Sequence, residues 1–145
     1  MADDRRYKVF TLKNIQAPAF TMTALELKEY INFTVKRVYF ITSPKGEMKS
    51  GNHAHRAEED ELFVQLQGQS TIVVDDGHGL EDVVLSGPQN AISVPHMVWH
   101  GFKDMSQDCV IVAITSTNYD PARTDYCENY EEFKELLLNK VSPAK

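Results

Sequence analysis

The middle of the chain alternates short apolar runs with turn residues, a pattern typical of β-strands separated by tight turns. Asp75-Asp76-Gly77 is a strong hairpin signal, because Gly accepts a positive φ. The last run, Cys109–Ile114, is nearly continuous in apolar residues, as in a strand covered on both faces. The predicted strands are Arg37–Thr42, Glu61–Leu66, Ser70–Val74, Glu81–Leu85, Ala91–Val94 and Cys109–Ile114. Many short strands with regular turns predict an all-β sandwich or barrel.

The pattern changes to helical spacing near the C-terminus, over residues 128–140. Asn129 can cap this helix, and Glu132 follows it at capping-box spacing. The apolar residues that share one face are Tyr130, Phe133, Leu136 and Leu137. We expect that face to pack on the sheet. A second, shorter helix is predicted within residues 23–30.

Length and composition fit one globular domain, residues 1–145, with its barrel core over residues 37–116. The hydrophobic fraction of 42% and charged fraction of 25% are ordinary for a globular protein. The net charge of −6 disfavours a nucleic-acid partner, which needs a basic face. No apolar run is long enough to span a bilayer, and neither cysteine suggests a disulfide framework. We therefore expect a cytoplasmic protein without a membrane partner.

Histidines are the clearest candidates for chemistry. His53 and His55 are two residues apart, so on a strand both rings point to the same face. Two adjacent imidazoles are unusual in a plain core, because each needs a polar partner. The other three histidines are His78, His96 and His100. His78 lies between two glycines of the hairpin and is expected in solvent, and His96 is interpreted as a loop residue.

Two groups of residues resemble the two motifs of the cupin family. They are Gly46, His53, His55, Glu61 and Gly68, followed by Gly87, Pro95 and His100. The resemblance implies a jelly-roll barrel, or double-stranded β-helix, with a short C-terminal helix. It also implies that the motif histidines project into the barrel.

A closer resemblance is to the cupins that act as dTDP-4-keto-6-deoxyglucose 3,4-ketoisomerases. The matching segments are Arg37-Val38-Tyr39, Gly51-Asn52-His53-Ala54-His55-Arg56, Gly68, Asp75-Asp76-Gly77, Trp99-His100, Tyr119-Asp120, Asp125-Tyr126 and Tyr130-Glu131-Glu132-Phe133. The resemblance implies a dTDP-linked 4-keto-6-deoxy sugar as substrate and no metal or other cofactor. It further implies a role in making dTDP-3-amino-3,6-dideoxy sugars for a surface polysaccharide such as O-antigen, or for glycosylated products.

The reaction that this resemblance implies suits the histidines. Moving a keto group from C4 to C3 needs a base for the C3 proton and an acid that returns a proton at C4. Imidazole does both near neutral pH. We assign His55 as the principal base, His53 as its partner in proton shuttling, and His100 and Tyr39 as supports for the oxyanion or sugar hydroxyls. Which histidine takes which proton stays open.

The predicted substrate-binding residues are fewer and mostly cationic. Arg37 is the first candidate for the diphosphate, because a guanidinium contacts a phosphate with two parallel N–H groups. The ketoisomerases usually carry Arg before Gly-x-His-Ala-His, where this chain has Ser50 with Lys49 beside it. Lys49 is therefore the second candidate. Trp99 and Glu61 complete the set, with a core position as the alternative for Trp99.

Glu61 also opens a rival interpretation, because the ketoisomerases commonly carry Gln there. With Glu61, the residues His53, His55 and His100 form a three-histidine, one-carboxylate set suited to Fe, Mn, Ni or Zn. Three hypotheses follow: a metal-free ketoisomerase, which we favour, a metal-dependent cupin enzyme, and a non-catalytic cupin that binds a sugar or nucleotide. The acidic run at residues 57–61 is otherwise interpreted as a solvated surface.

We also expect a homodimer that exchanges N-terminal strands. The strand-like segment Tyr7–Leu12 has no obvious partner in its own barrel. Pairing with a second subunit would cover a sheet edge.

Overall fold

The computed structural model describes residues 4–45 and 50–141. Their elements in chain order are β1 Lys8–Thr11, β2 Asn14–Gln16, β3 Thr21–Thr23, a 3-10 helix Leu27–Glu29, β4 Arg37–Thr42, β5 Ser50–His55, β6 Glu61–Gln67, β7 Gln69–Asp75, β8 Glu81–Ser86, β9 Asn90–Val94, β10 Trp99–Lys103, β11 Val110–Thr115, β12 Tyr126–Cys127 and helix α1 Tyr130–Val141.

The strands form two five-stranded antiparallel sheets. The first has the order β1-β9-β6-β11-β4 and the second the order β12-β5-β10-β7-β8, while β2 and β3 form a separate hairpin. Most neighbours within each sheet are far apart in sequence, because the chain crosses repeatedly between the sheets. This is the predicted jelly roll, all-β with one C-terminal helix.

The interior between the sheets contains an apolar core and a polar cluster. The large core side chains include Phe63, Ile72, Ile92, Phe102 and Ile111. Inward residues alternate along each strand, and the polar ones lie at corresponding positions. Thr115 of β11 lies opposite both Arg37 and Glu61, and His100 of β10 lies opposite His53. The sheet register therefore gathers the polar residues at one level of the barrel.

Helix α1 begins and packs as the sequence predicts. The Asn129 side chain accepts a hydrogen bond from the Glu132 amide at 2.9 Å. The reciprocal bond of a capping box is replaced by a 2.8 Å ion pair between Glu132 and Arg56. Phe133 is buried against the second sheet in a cluster with Ala54, Met97, Trp99 and Cys127. None of the helices in the described ranges is long and apolar enough to cross a membrane.

Two predictions about the N-terminal part are corrected. The segment predicted to lack a partner pairs within its own chain, since β1 runs antiparallel to β9 from Lys8–Ser93 to Thr11–Asn90. The helix predicted over residues 23–30 is reduced to the 3-10 helix, because Thr23 is already paired with Asn14 in the β2–β3 hairpin.

Candidate active site

The polar cluster inside the barrel is formed by His53, His55, Glu61 and His100. One ligand-type atom from each residue lies within 4.8 Å of the others. His53 and His55 point inward together because they are two residues apart on β5. Strands β6 and β10 contribute Glu61 and His100 from opposite sheets. The three histidines lie together in the interior between the two sheets, as the sequence predicted.

His55 is surrounded by carboxylates. Its Nε2 atom lies 3.2 Å from Glu61 Oε1 and 3.4 Å from Glu59 Oε2, and its Nδ1 atom lies 3.4 Å from Asp125 Oδ2. Burial lowers the pKa of His55, but the contact with Glu61 and the charges of Glu61, Glu59 and Asp125 outweigh it. The net result is a raised pKa, so the imidazolium form of His55 is favoured.

His53 has the opposite environment although it touches His55. The two Nε2 atoms are 3.3 Å apart. Burial, and then repulsion from His100 and His55, lower the pKa of His53 to about 2. The site therefore holds a neutral imidazole and a ring that favours its cationic form, within proton-transfer distance of each other.

Glu61 links the other polar side chains. It is 1% exposed, and the Tyr39 hydroxyl donates to its Oε2 at 2.8 Å. Its Oε1 lies 3.2 Å from His55 Nε2 and 3.4 Å from His100 Nε2. Burial raises the pKa of Glu61, but the close imidazoles of His100 and His55 bring it below the usual range. Burial and the charge of Glu61 raise the pKa of Tyr39, which therefore remains protonated.

Glu59 is a site residue that the sequence analysis assigned to a solvated run. It is buried, Thr117 Oγ1 donates to its Oε1 at 2.6 Å, and Arg37 Nη2 lies 3.7 Å from its Oε2. Within the acidic run, Ala57 and Glu58 are exposed. The available signal was the two-residue spacing of Glu59 and Glu61, which repeats that of the two histidines.

The segment from Tyr119 to Glu128, here called the strap, lies against the cluster. The Tyr126 ring centroid is 4.7 Å from those of both His53 and His55. The Arg123 guanidinium lies over the same Tyr126 ring, 3.8 Å from its centroid. The strap therefore connects the protein surface to the two imidazoles.

Two aspartates fix the strap. Asp120 accepts hydrogen bonds from the amides of Ala122 and Thr124, which closes a local turn. Asp125 accepts hydrogen bonds from the three successive amides of residues 57–59. The sequence resemblance included both aspartates but assigned them no role, since only the folded chain brings residue 125 beside residues 55–59.

The sequence matches a known family over nearly its whole length. The family described as "FdtA: WxcM-like, C-terminal" matches residues 5–138. The chain belongs to this family. A curated relative of the WxcM-like chain is the TDP-4-oxo-6-deoxy-alpha-D-glucose-3,4-oxoisomerase of Aneurinibacillus thermoaerophilus. The two are 36% identical over 130 residues, which covers 90% of this chain and 91% of the relative.

Two solved structures are similar to this WxcM-like chain over almost its entire length. The TDP-fucose-3,4-ketoisomerase of Campylobacter jejuni is 25% identical, with a TM-score of 0.80, covering 95% of this chain and 100% of that one. A mutant 3,4-ketoisomerase of Thermoanaerobacterium thermosaccharolyticum was solved in complex with TDP-4-keto-6-deoxyglucose. It is 25% identical, with a TM-score of 0.81, covering 94% of this chain and 97% of that one.

Trp99 is not placed to bind substrate in this WxcM-like protein. Its ring packs against Tyr130 and Phe133 of α1, at centroid distances of 5.3 and 5.7 Å. Neighbouring strand residues point to opposite faces, so an inward His100 directs Trp99 outward, to the core position that was the alternative for it.

Of the remaining residues singled out in the sequence, Arg37 lies beside the cluster and the two other histidines do not belong to it. Arg37 lies beside the cluster, with its guanidinium 4.8 Å from the Tyr39 ring centroid. Lys49 and Gly46 lie outside the described residues. His78 is partly exposed beside Asp76, and His96 bonds Asp60 at 2.8 Å.

Proposed function

We propose that the protein is a dTDP-4-keto-6-deoxyglucose 3,4-ketoisomerase. The observation that carries the proposal is the pair of imidazoles in contact, with the pKa of one ring lowered and that of the other raised. Keto–enol isomerisation needs one group that takes a proton and one that gives a proton at neighbouring atoms. The names of the relatives specify the same reaction, and one relative binds this substrate.

We propose the opposite roles for the two histidines from those that the sequence suggested. A base must be unprotonated before it acts, and the lowered pKa of His53 makes it the neutral ring. We therefore assign removal of the C3 proton to His53. His55, whose pKa is raised, donates its proton to O4, which gives an enediol without charge separation.

In the second half of the reaction, the same two histidines move protons in the opposite direction, at O3 and C4. The O3 proton passes to His55, and His53 returns its proton to C4, which leaves a ketone at C3 and a hydroxyl at C4. Both histidines recover their starting states. The 3.3 Å separation of their Nε2 atoms lets the two transfers be coupled.

Tyr39, Glu61 and His100 support the two reacting rings. The Tyr39 hydroxyl donates its hydrogen bond to Glu61, so this phenol positions a carboxylate rather than contacting the developing oxyanion. Glu61 in turn stabilises the imidazolium of His55. His100 donates from Nδ1 to the Val98 carbonyl at 3.1 Å, which fixes its ring beside Glu61.

Arg37 is proposed to bind the substrate diphosphate. Its Nε atom is buried and has no hydrogen-bond partner among the described residues. An unpaired buried donor is costly unless a ligand satisfies it. Lys49 stays a prediction for the same role.

Incubation with dTDP-4-keto-6-deoxyglucose in deuterated water, followed by proton NMR, tests the function. We expect loss of the C3 proton signal, deuterium at C4 of the product, and a new ketone at C3. Binding of the sugar nucleotide with no exchange and no product would instead identify a non-catalytic binding protein.

A metal-dependent enzyme is the second candidate, and the spacing of the cluster favours it. Three imidazoles and a carboxylate within 4.8 Å can hold Fe, Mn, Ni or Zn. Glu61→Gln separates the candidates. In the metal-free ketoisomerase it keeps a polar group of the same shape but removes a charge that raises the pKa of His55, so activity is retained at low pH and its alkaline limb moves to lower pH. In a metalloenzyme it removes a ligand, so bound metal measured by elemental analysis and activity fall together.

We propose a homodimer built on the outer face of the first sheet. Val38 and Phe40 of the edge strand β4 and Leu66 of β6 point outward and are exposed. An exposed apolar edge strand usually has a partner. This interface replaces strand exchange as the expected contact.

The biosynthetic setting follows from the product. A ketone at C3 is the substrate that an aminotransferase needs to make a 3-amino-3,6-dideoxy sugar. We propose that the protein acts in the cytoplasm, upstream of such a step, in the synthesis of a surface polysaccharide or glycosylated product.

A further inference from the structure

Two arginines from distant parts of the chain meet on one tyrosine. The Arg37 guanidinium lies 5.5 Å from the centroid of the Tyr119 ring. The Nη1 atom of Arg123 donates to the Tyr119 hydroxyl at 3.3 Å. The strap therefore places a second guanidinium across a single phenol from Arg37.

Part of the Arg123 guanidinium remains available to donate hydrogen bonds to a ligand. Glu128 accepts from its Nε and Nη2 at 2.9 and 2.6 Å, and Tyr119 accepts one proton from Nη1. One N–H of Nη1 and one of Nη2 remain without a partner among the residues that the structure describes. A guanidinium with two N–H groups left to donate can bind phosphate oxygens.

Arg123 is separated from the two imidazoles by a single aromatic ring, that of Tyr126. The side chains of Arg123 and Tyr119 are substantially exposed, whereas the Tyr126 ring beneath Arg123 contacts both His53 and His55. A sugar ring held at the histidines carries its diphosphate one glycosidic bond away. A diphosphate that extends from this sugar along the strap would lie between the two arginines.

The strap also holds Arg123 before any ligand arrives. The backbone of Arg123 has a φ of 55°, an uncommon value for a residue with a side chain. The turn closed by Asp120 and the bonds of Asp125 to residues 57–59 maintain it. A strained residue held in this way is typical of a binding site that is formed in advance.

We propose that Arg123 and Arg37 clamp the diphosphate of the nucleotide sugar from the two sides of Tyr119. The proposal rests on the proposed function and adds the residues that recognise the diphosphate of the substrate. It makes Arg123 a substrate-binding residue that takes no part in proton transfer.

The test compares Arg123→Gln with Lys134→Gln. Lys134 is a matched control, because it pairs with Glu131 at 2.9 Å and lies 5.0 Å over the Tyr130 ring, as Arg123 pairs with Glu128 over Tyr126. Both variants remove one positive charge. The measurements are the Kd for dTDP by calorimetry, and kcat and KM with the 4-keto sugar nucleotide.

We expect Arg123→Gln to raise both the Kd for dTDP and KM about 10-fold, the usual loss for one charge-assisted contact, with kcat nearly unchanged. Arg123→Lys should recover part of the affinity, since it restores the charge without the paired donors. Lys134→Gln should match the wild type.

Three results would overturn the clamp alone: an unchanged Kd in Arg123→Gln, an equal loss in Lys134→Gln, or a fall in kcat without a change in Kd. The last would mean that Arg123 only supports the strap. If the wild-type protein isomerises the sugar nucleotide but Arg123→Gln binds dTDP as tightly as the wild type does, the clamp fails and the proposed function stands. A wild-type protein that neither binds dTDP nor turns over the substrate overturns both.

Discussion

At the scale of single residues, identical side chains acquire opposite properties from their neighbours. His53 and His55 share a strand, a face and a contact, yet their pKa values shift in opposite directions. The difference comes from Glu59, Glu61 and Asp125, which all lie within 3.4 Å of the His55 ring nitrogens. Burial and charge placement, and not residue type, therefore set the direction of each pKa shift.

The two histidines are separated by asparagine substitution. His53→Asn should abolish exchange of the substrate C3 proton and reduce kcat by at least about 10²-fold, the usual contribution of a general base. His55→Asn should also slow turnover, but residual C3 exchange should persist because His53 is still present. Deuterium incorporation at C3, followed by NMR, measures this. Exchange that survives in His53→Asn and disappears in His55→Asn would restore the roles suggested by the sequence.

The pH dependence of kcat/KM should follow His55. Its imidazolium form is required and its pKa is raised, so activity is present below that pKa and is lost as pH rises through it. Glu59→Gln removes one of the charges that raise the pKa, so the alkaline limb should move to lower pH. The control is Glu58→Gln, an exposed neighbour, which should leave the limb in place. A limb that does not respond to Glu59→Gln would contradict the assignment.

At the scale of elements, helix α1 supports the strands that carry the site. Its buried face packs on Ala54 of β5, Trp99 of β10 and Cys127 of β12. Ala54 lies between His53 and His55 on β5, and Cys127 pairs with Ala54. Trp99 directly precedes His100 on β10. The helix therefore covers the outer face of the strands whose inner face holds the histidines.

Removing the helix anchor should destabilise the protein. Phe133 is 0% exposed, and Phe133→Ala should lower the free energy of unfolding by about 3–5 kcal/mol, the usual cost of a core Phe→Ala change. Leu138→Ala, at a position on the same helix that is 64% exposed, should change it by less than about 0.5 kcal/mol. Urea denaturation measures both. Equal and small effects would mean that α1 does not stabilise the second sheet.

At the scale of the whole molecule, the two sheets differ in what covers their outer faces. Helix α1 covers part of the second sheet, and the segment with the 3-10 helix covers part of the first. The β4 end of the first sheet keeps Val38 and Phe40 exposed in the described chain. Because β4 also carries Arg37 and Tyr39 on its inner side, an interface there would lie directly behind the site.

A charge on this face should disrupt the dimer. Phe40 is 68% exposed, and we expect Phe40→Glu to convert a dimer at micromolar concentration into a monomer by light scattering. Val84→Glu, at a position 56% exposed on β8 of the second sheet, is the control and should remain dimeric. A monomeric wild type, or a dimer that survives Phe40→Glu, would exclude this interface.

Local pattern was sufficient for most elements and for the pairing of His53 with His55, while Glu61 and His100 were added to the cluster by the family resemblance. Turn residues separate the strands, period-two spacing puts His53 and His55 on one face, and Asn129 marks the start of α1. On β10 the same period-two spacing applies, because an inward His100 requires an outward Trp99. The substrate role given to Trp99 came from the resemblance and conflicted with that alternation.

The amino-acid sequence by itself determined the all-β class, the C-terminal helix and the shared face of His53 and His55, because these depend on spacing along one strand or helix, whereas the jelly roll and the place of His100 came from the family resemblance. Only the tertiary structure decided the pairing of β1 with β9, the contact of buried Glu59 with Thr117, and the contacts of Asp125 with residues 57–59. These features join residues about 50 to 90 positions apart, and their partners are selected by burial and sheet order. The electrostatic environment of His55 combines nearby Glu59 and Glu61 with distant Asp125, and only the folded chain brings all three carboxylates to its ring.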